Sequence, residues 1–185
     1  MQPIFTLPYS EYAVANVLNE KFKGYSIFVP ASSQEKGIDL ILYNRKATMN
    51  KVVTIQVKSS RTYMNQKVTK GQPFKYYLWL NRFEVQENAD LYFLTGIYPN
   101  IPQNVKEVNC NSIKWDSIIL VFTNKEMKMF LENIKLKNSE KPDKMFAFGF
   151  DDVNSINLTR GCPEPKSMSK FLLDRRINEI EEMLI

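Results

Sequence analysis

The chain contains no histidine. Imidazole is the usual general base near neutral pH and a common nitrogen ligand of zinc, so its absence excludes Ser-His and Cys-His triads and His-containing zinc sites. Any catalysis must run on carboxylates, lysine, tyrosine or a cation held by oxygen. Cysteine is nearly as scarce. Cys110 and Cys162 stand far apart with no partner motif, which supports neither a disulfide framework nor a zinc site and reads as two idle thiols. No apolar run approaches the roughly 20 residues of a membrane helix. The opening "MQPIFTLPYSEY" has neither the basic start nor the apolar core of a secretory signal. The expectation is a cytoplasmic protein with no membrane partner.

Acid is missing where it matters most. From Leu40 to Phe83 there is no Asp or Glu, while Arg45, Lys46, Lys51, Lys58, Arg61, Lys67, Lys70, Lys75 and Arg82 give that stretch +9. Set against a chain total of +5, the remainder is net −4. Interleaved are Tyr63, Phe74, Tyr76, Tyr77, Trp79 and Phe83, rings that can pack in a strand core or stack on bases. Cations beside rings point to nucleic acid. Arg45, Lys46, Arg61, Lys67, Lys70 and Lys75 are the candidate phosphate contacts.

What is present organises into one α/β domain spanning residues 1–185. After Pro8, with Ser10 as candidate N-cap, a helix is expected to about Lys23. In it Val14, Ala15, Leu18 and Phe22 follow Glu11 at helical offsets, so Glu11 lies on the axis of the apolar stripe; a solvated acid at the positive end of the helix dipole is the other reading. Strands are expected over 25–30, 38–44, 51–60, 74–80 and 90–99, and a strand or turn over 117–123. A helix over 124–137, a strand over 145–150, a loop over 159–167 and a last helix of about 17 residues complete the chain.

The chemistry gathers in "GIDLILYNRKATMNKVVTIQVKSS", residues 37–60. The strand over 51–60 alternates, with Val53, Ile55 and Val57 on one face and Thr54, Gln56 and Lys58 on the other. A neighbouring strand can bring Asp39 beside Gln56 and Lys58, and Glu11 can join from the helix. Two carboxylates and an amide oxygen suit Mg²⁺ or Mn²⁺, and an adjacent ammonium can orient water for attack on a phosphodiester. The same residues also fit a plain reading, Asp39 as a strand-end turn and Gln56 and Lys58 as the wet face of a strand. Ser59 and Ser60 at the strand end, and Glu35 in the preceding loop, are lesser candidates.

"GID", then "QVK" with sixteen residues between Asp39 and Gln56, behind a helix carrying Glu11, resembles the PD-(D/E)xK nuclease superfamily of restriction endonucleases and archaeal-type Holliday junction resolvases. The resemblance spans residues 8 to about 100 and includes "ADLYFLTG" (89–96) as the strand after the core. It implies a restriction-endonuclease-like αβββαβ core with a mixed central sheet flanked by helices, followed by a C-terminal helical elaboration from about 101 to 185. It also implies Asp39, Gln56 and Glu11 as Mg²⁺ or Mn²⁺ ligands, Lys58 acting on the water, and a homodimer cutting duplex or branched DNA. Gly37 and Ile38 stand where the family carries its Pro, and Gln56 stands at the strand acid position, which removes one negative charge from the ligand set. Gln56 keeps open the alternative of a catalytically inactive nuclease-like DNA-binding or assembly module. A third reading, a basic face docking an acidic partner, needs no catalysis.

Overall fold

The structure is a computed structural model describing residues 9–30, 36–45, 51–65, 69, 71–100 and 114–185. The chain begins with α1, Tyr9–Lys21, then β1, Ser26–Phe28, β2, Leu40–Asn44, and the long β3, Lys51–Met64. After β4, Tyr76–Asn81, come β5, Leu91–Asn100, and β6, Lys114–Thr123, which runs straight into α2, Asn124–Glu132. The last third holds β7, Met145–Asp152, β8, Ser155–Arg160, the short β9, Lys166–Ser167, a 3-10 turn over Ser169–Phe171, and α3, Leu173–Glu182.

The fold is α/β, and among the described residues nine strands join into one sheet system, mostly antiparallel. β3 is its hub. It pairs antiparallel with β2 over Lys51 to Ile55, parallel with β5 over Ile55 to Arg61, and antiparallel with β4 over Thr62 to Met64. One half of the system is β1-β2-β3-β5-β6, and the other runs β3-β4-β7-β8-β9.

The two faces of the first half bury different partners. Val53, Ile55, Val57, Leu91, Phe93, Ile119 and Val121 pack under Val14, Leu18 and Phe22 of α1 and Leu173, Ile180 and Leu184 of α3. An ion pair between Lys21 and Asp174 ties those helices together. On the opposite face Tyr92, Leu94, Leu120 and Phe122 meet Leu78, Phe146, Phe148 and Phe150 of the second half and Met127 and Leu131 of α2. Strict alternation along β5 and β6 is what lets one sheet serve two cores.

Several expectations are corrected. Ser10 lies inside α1 rather than before it. The αβββαβ order is not met over residues 9–100, because among the described residues β4, not a helix, lies between β3 and β5. The C-terminal part is not a helical extension. Phe146, Phe148 and Phe150 alternate with smaller residues in β7, which is buried on both faces from Phe146 to Phe150, and Ile156 and Leu158 alternate with polar residues in the half-buried β8. The expected 159–167 loop therefore carries the end of β8 and all of β9. The closing helix is shorter than expected because Leu172, extended at ψ 137°, separates it from the 3-10 turn. α2 stops at Glu132 rather than 137, with Ile134 turned into the core. Of the interleaved rings, Tyr76 and Tyr77 are buried in β4 and only Tyr63 is largely exposed.

Candidate active site

Gly37 sets the geometry of the "GID" motif. Its φ of +92° belongs to the left-handed region, and a Cβ there would lie 2.7 Å from Gln86 Cβ and 2.8 Å from Asn88 Oδ1. Asn88 Nδ2 also donates to the Lys36 carbonyl at 2.7 Å. The turn delivers Asp39 to the margin of β3. Its N–H donates to Ile55 O at 2.9 Å, and its Oδ2 accepts from Val57 N–H at 2.7 Å. Asp39 thus takes over the hydrogen bonding of β3 where β2 begins.

Odd-numbered residues direct their backbone groups to this margin: Ile55 and Val57 of β3 toward Asp39, and Asn65, just past β3, toward Lys75 of the approach to β4, at 2.7 Å. Between Val57 and Thr62 the described residues place no strand there. This gap explains how groups from both faces can converge. α1 lies on the face of Val57, Gln56 and Lys58 belong to the other, and continuing the Leu40–Ile55 register by one residue sets Asp39 opposite Gln56.

Electrostatics shows the convergence. The Glu11 carboxyl is pushed up to about 7, chiefly by burial, then by the negative charge of Asp39, with Lys58 pulling the other way. Burial also raises the Asp39 pKa, opposed by the Val57 N–H and by Lys58. Two carboxylates and one ammonium therefore lie within range of each other's charge, and both acids resist ionisation as they stand. Lys58 Nζ sits 5.4 Å from the centroid of Phe83, whose ring stacks on Tyr92 at 5.9 Å. The Tyr92 hydroxyl is anchored by the backbone of Gln86. Phe83 and Tyr92 are the wall behind Lys58. Sequence reasoning missed Tyr92 in this role, and the signal for it is its register position opposite Gln56.

Gln56 is 5% exposed, and its Oε1 has no hydrogen-bond partner. A buried carbonyl oxygen without a donor is costly and rare. Two carboxyls and an amide oxygen are hard donors of the kind Mg²⁺ and Mn²⁺ prefer; Glu11 and Asp39 lie within range of each other's charge, and Asp39 bonds to Ile55 and Val57, the neighbours of Gln56 in β3. Among the described residues no group of three or more His, Cys, Asp and Glu side chains is placed to share an ion, so any such site relies on the amide.

The candidate phosphate contacts divide. Arg61 is exposed, three residues beyond Lys58 along the same strand, and flanks the open margin. Arg45 sits past the end of β2, where Asn44 pairs with Lys51, roughly 17 Å of strand from Gln56 at about 3.3 Å per residue. Lys75 lies at the other end, its Nζ 5.1 Å from the Tyr76 ring centroid. Lys46, Lys67 and Lys70, with Glu35 and Cys110, lie outside the described residues. Cys162 is a free thiol whose pKa is raised by burial, and its Sγ donates to Leu158 O at 3.4 Å. Among the described residues no helix is long and apolar enough to cross a membrane. Compared with known proteins, the chain matches no family model, no curated protein and no solved structure.

Proposed function

We propose that the chain is a metal-dependent endonuclease that hydrolyses DNA phosphodiester bonds at the open margin of β3. The observation that carries this reading is the pair Glu11 and Asp39, which resist ionisation and lie within range of Lys58, with the buried Gln56 Oε1 of the same strand as Lys58 left without a hydrogen-bond partner. Glu11, Asp39 and Gln56 would hold Mg²⁺ or Mn²⁺. When bound, such an ion supplies charge neutralisation on the phosphate and makes a coordinated water more acidic. Lys58, braced against Phe83, orients the attacking water and donates to a non-bridging phosphate oxygen as negative charge builds there. Water oxygen adds to phosphorus, the ester P–O bond breaks, and the leaving oxygen takes a proton. A nuclease-like core in which a strand replaces the second helix, working as a homodimer on duplex or branched DNA, belongs to the same proposal.

The test is cutting of supercoiled, linear, branched and single-stranded DNA in Mg²⁺, Mn²⁺ or EDTA. Asp39→Asn, which keeps an oxygen for the Val57 N–H, and Lys58→Met are the controls. Metal-dependent cutting that falls at least about a hundredfold in both variants is expected. Cutting that survives in either, or that persists in EDTA, overturns the mechanism.

A second reading has its own observation. With only two carboxylates and an amide at the site, the charge needed to hold a cation is low, which favours a nuclease-like module that binds DNA without cutting it. Salt-sensitive DNA binding with no uptake of Mn²⁺ at millimolar concentration would select this reading.

A further inference from the structure

Two connected grooves beside the candidate site are not used by the chemistry above. One, about 380 Å³, is lined by Tyr9 and Ser10 at the start of α1, by Ser59, Ser60 and Arg61 of β3, and by Thr95. It begins one residue past Lys58. Thr95 is fully buried, yet its Oγ1 has no hydrogen-bond partner. A basic side chain, serine hydroxyls, the positive end of a 13-residue helix and an unpartnered hydroxyl in one groove match the needs of a phosphate.

The second groove, about 180 Å³, shares Tyr9 and Ile97 with the first and continues between α1 and β6, past Tyr12 and Trp115. Three rings stand out into it: Tyr9 is 67% exposed, Tyr12 54% and Trp115 60%. Single exposed rings are ordinary, but three gathered in one groove are not. The acid present, Asp116, accepts from Asn100 Nδ2 at 2.7 Å at the groove's far end. Rings that present open faces beside a phosphate-sized polar pocket are what unpaired bases require, whereas a duplex hides its base faces.

We propose that these grooves bind an unpaired nucleic-acid strand leaving the cleavage site, its phosphate held at Ser59, Ser60, Arg61 and Thr95 and its bases stacked on Tyr9, Tyr12 and Trp115. The proposal rests on the nuclease reading for the choice of nucleic acid as ligand. It makes the preferred substrate one with a single-stranded segment at the cut.

The experiment is a binding titration in EDTA, where nothing is cut, using a fluorescein-labelled oligothymidylate and a blunt hairpin duplex with the same number of phosphates. The single strand is expected to bind at least about tenfold more tightly than the duplex. Trp115→Ala and Tyr12→Ala, both at exposed positions, should each weaken single-strand binding about tenfold and leave duplex binding in place, and Arg61→Ala should flatten the salt dependence of both. Equal affinity for the two probes, or single-strand binding unchanged by Trp115→Ala, overturns the assignment. Binding of neither probe overturns it in favour of another occupant. Cutting in Mg²⁺ is a separate readout: strand preference without cutting removes the nuclease reading and leaves the grooves, and cutting without preference does the reverse.

Discussion

Gln56 is where stability and function pull hardest against each other. Its buried oxygen costs the metal-free protein about 1 to 3 kcal/mol of unmet hydrogen bonding, and nothing in the protein recovers that loss. Gln56→Met, of similar volume, should raise the urea midpoint of the metal-free protein by the equivalent of about 1 kcal/mol, while calorimetry finds Mn²⁺ binding abolished. Gln56→Glu should do the opposite, lowering metal-free stability by like-charge repulsion and tightening Mn²⁺ at least about tenfold. Glu11 gives a matching pH signature. Its carboxyl is pushed up to about 7 in the folded chain from an ordinary 4.5, so between these the folded state holds an extra proton. The stability it contributes is complete below about 4.5 and is lost as pH rises through 7. Because the group is partly solvated, the loss is discounted to about 1 to 2 kcal/mol. Urea unfolding in EDTA at pH 5 and pH 8 should show this decline in the wild type and not in Glu11→Gln, and Mn²⁺ should reverse it at pH 8 only in the wild type.

At the scale of elements, the helices are fixed by joints away from the candidate site. The capping box of α2 is one: Thr123 Oγ1 accepts from Glu126 N–H, and Glu126 Oε2 accepts from Thr123 N–H at 2.9 Å. The same carboxylate receives both arms of Arg176 from α3, at 3.0 and 2.8 Å. Burial alone would raise the Glu126 pKa, but Arg176 and the Thr123 N–H bring it below the ordinary value. Glu126→Ala should cost about 2 to 4 kcal/mol in urea unfolding, since it removes a cap and leaves a buried guanidinium with Glu179 as its remaining acid. The inward-facing Glu11 and the alternation of β3 were legible in the sequence, because helical offsets and period-two burial are local properties. The β4 crossover and β8 were not. "YYLWLN" reads as a strand, but only its pairing with β7, far along the chain, decides where it lies, and "SINLTR" is fixed as a strand by its hairpin pairing with β7. That Glu11 could join Asp39 and Lys58 from the helix was legible as an expectation, whereas the gap in the margin of β3 beside them was not.

At the scale of the molecule, β3 makes one cooperative unit of two sheet halves. It is bonded to β2, β5 and β4 in turn, and the two cores lie back to back across β5 and β6. Gly96 sits at the seam. It pairs with Ser60, and a Cβ there would lie 2.6 Å from Thr62 Oγ1 and 2.8 Å from Leu78 Cδ1, so β5, β3 and β4 approach as closely as glycine allows. Gly96→Ala should therefore cost about 1 to 3 kcal/mol by overpacking. If the halves unfold together, that loss must appear equally at every probe. Trp79 fluorescence in a Trp115→Phe background reports β4, and far-ultraviolet circular dichroism reports the whole sheet. Both urea transitions should coincide before the substitution and shift by the same amount after it. Separate midpoints would mean that the β4-β7-β8 half is an independent unit, and that the margin of β3 can open without unfolding the cores around it.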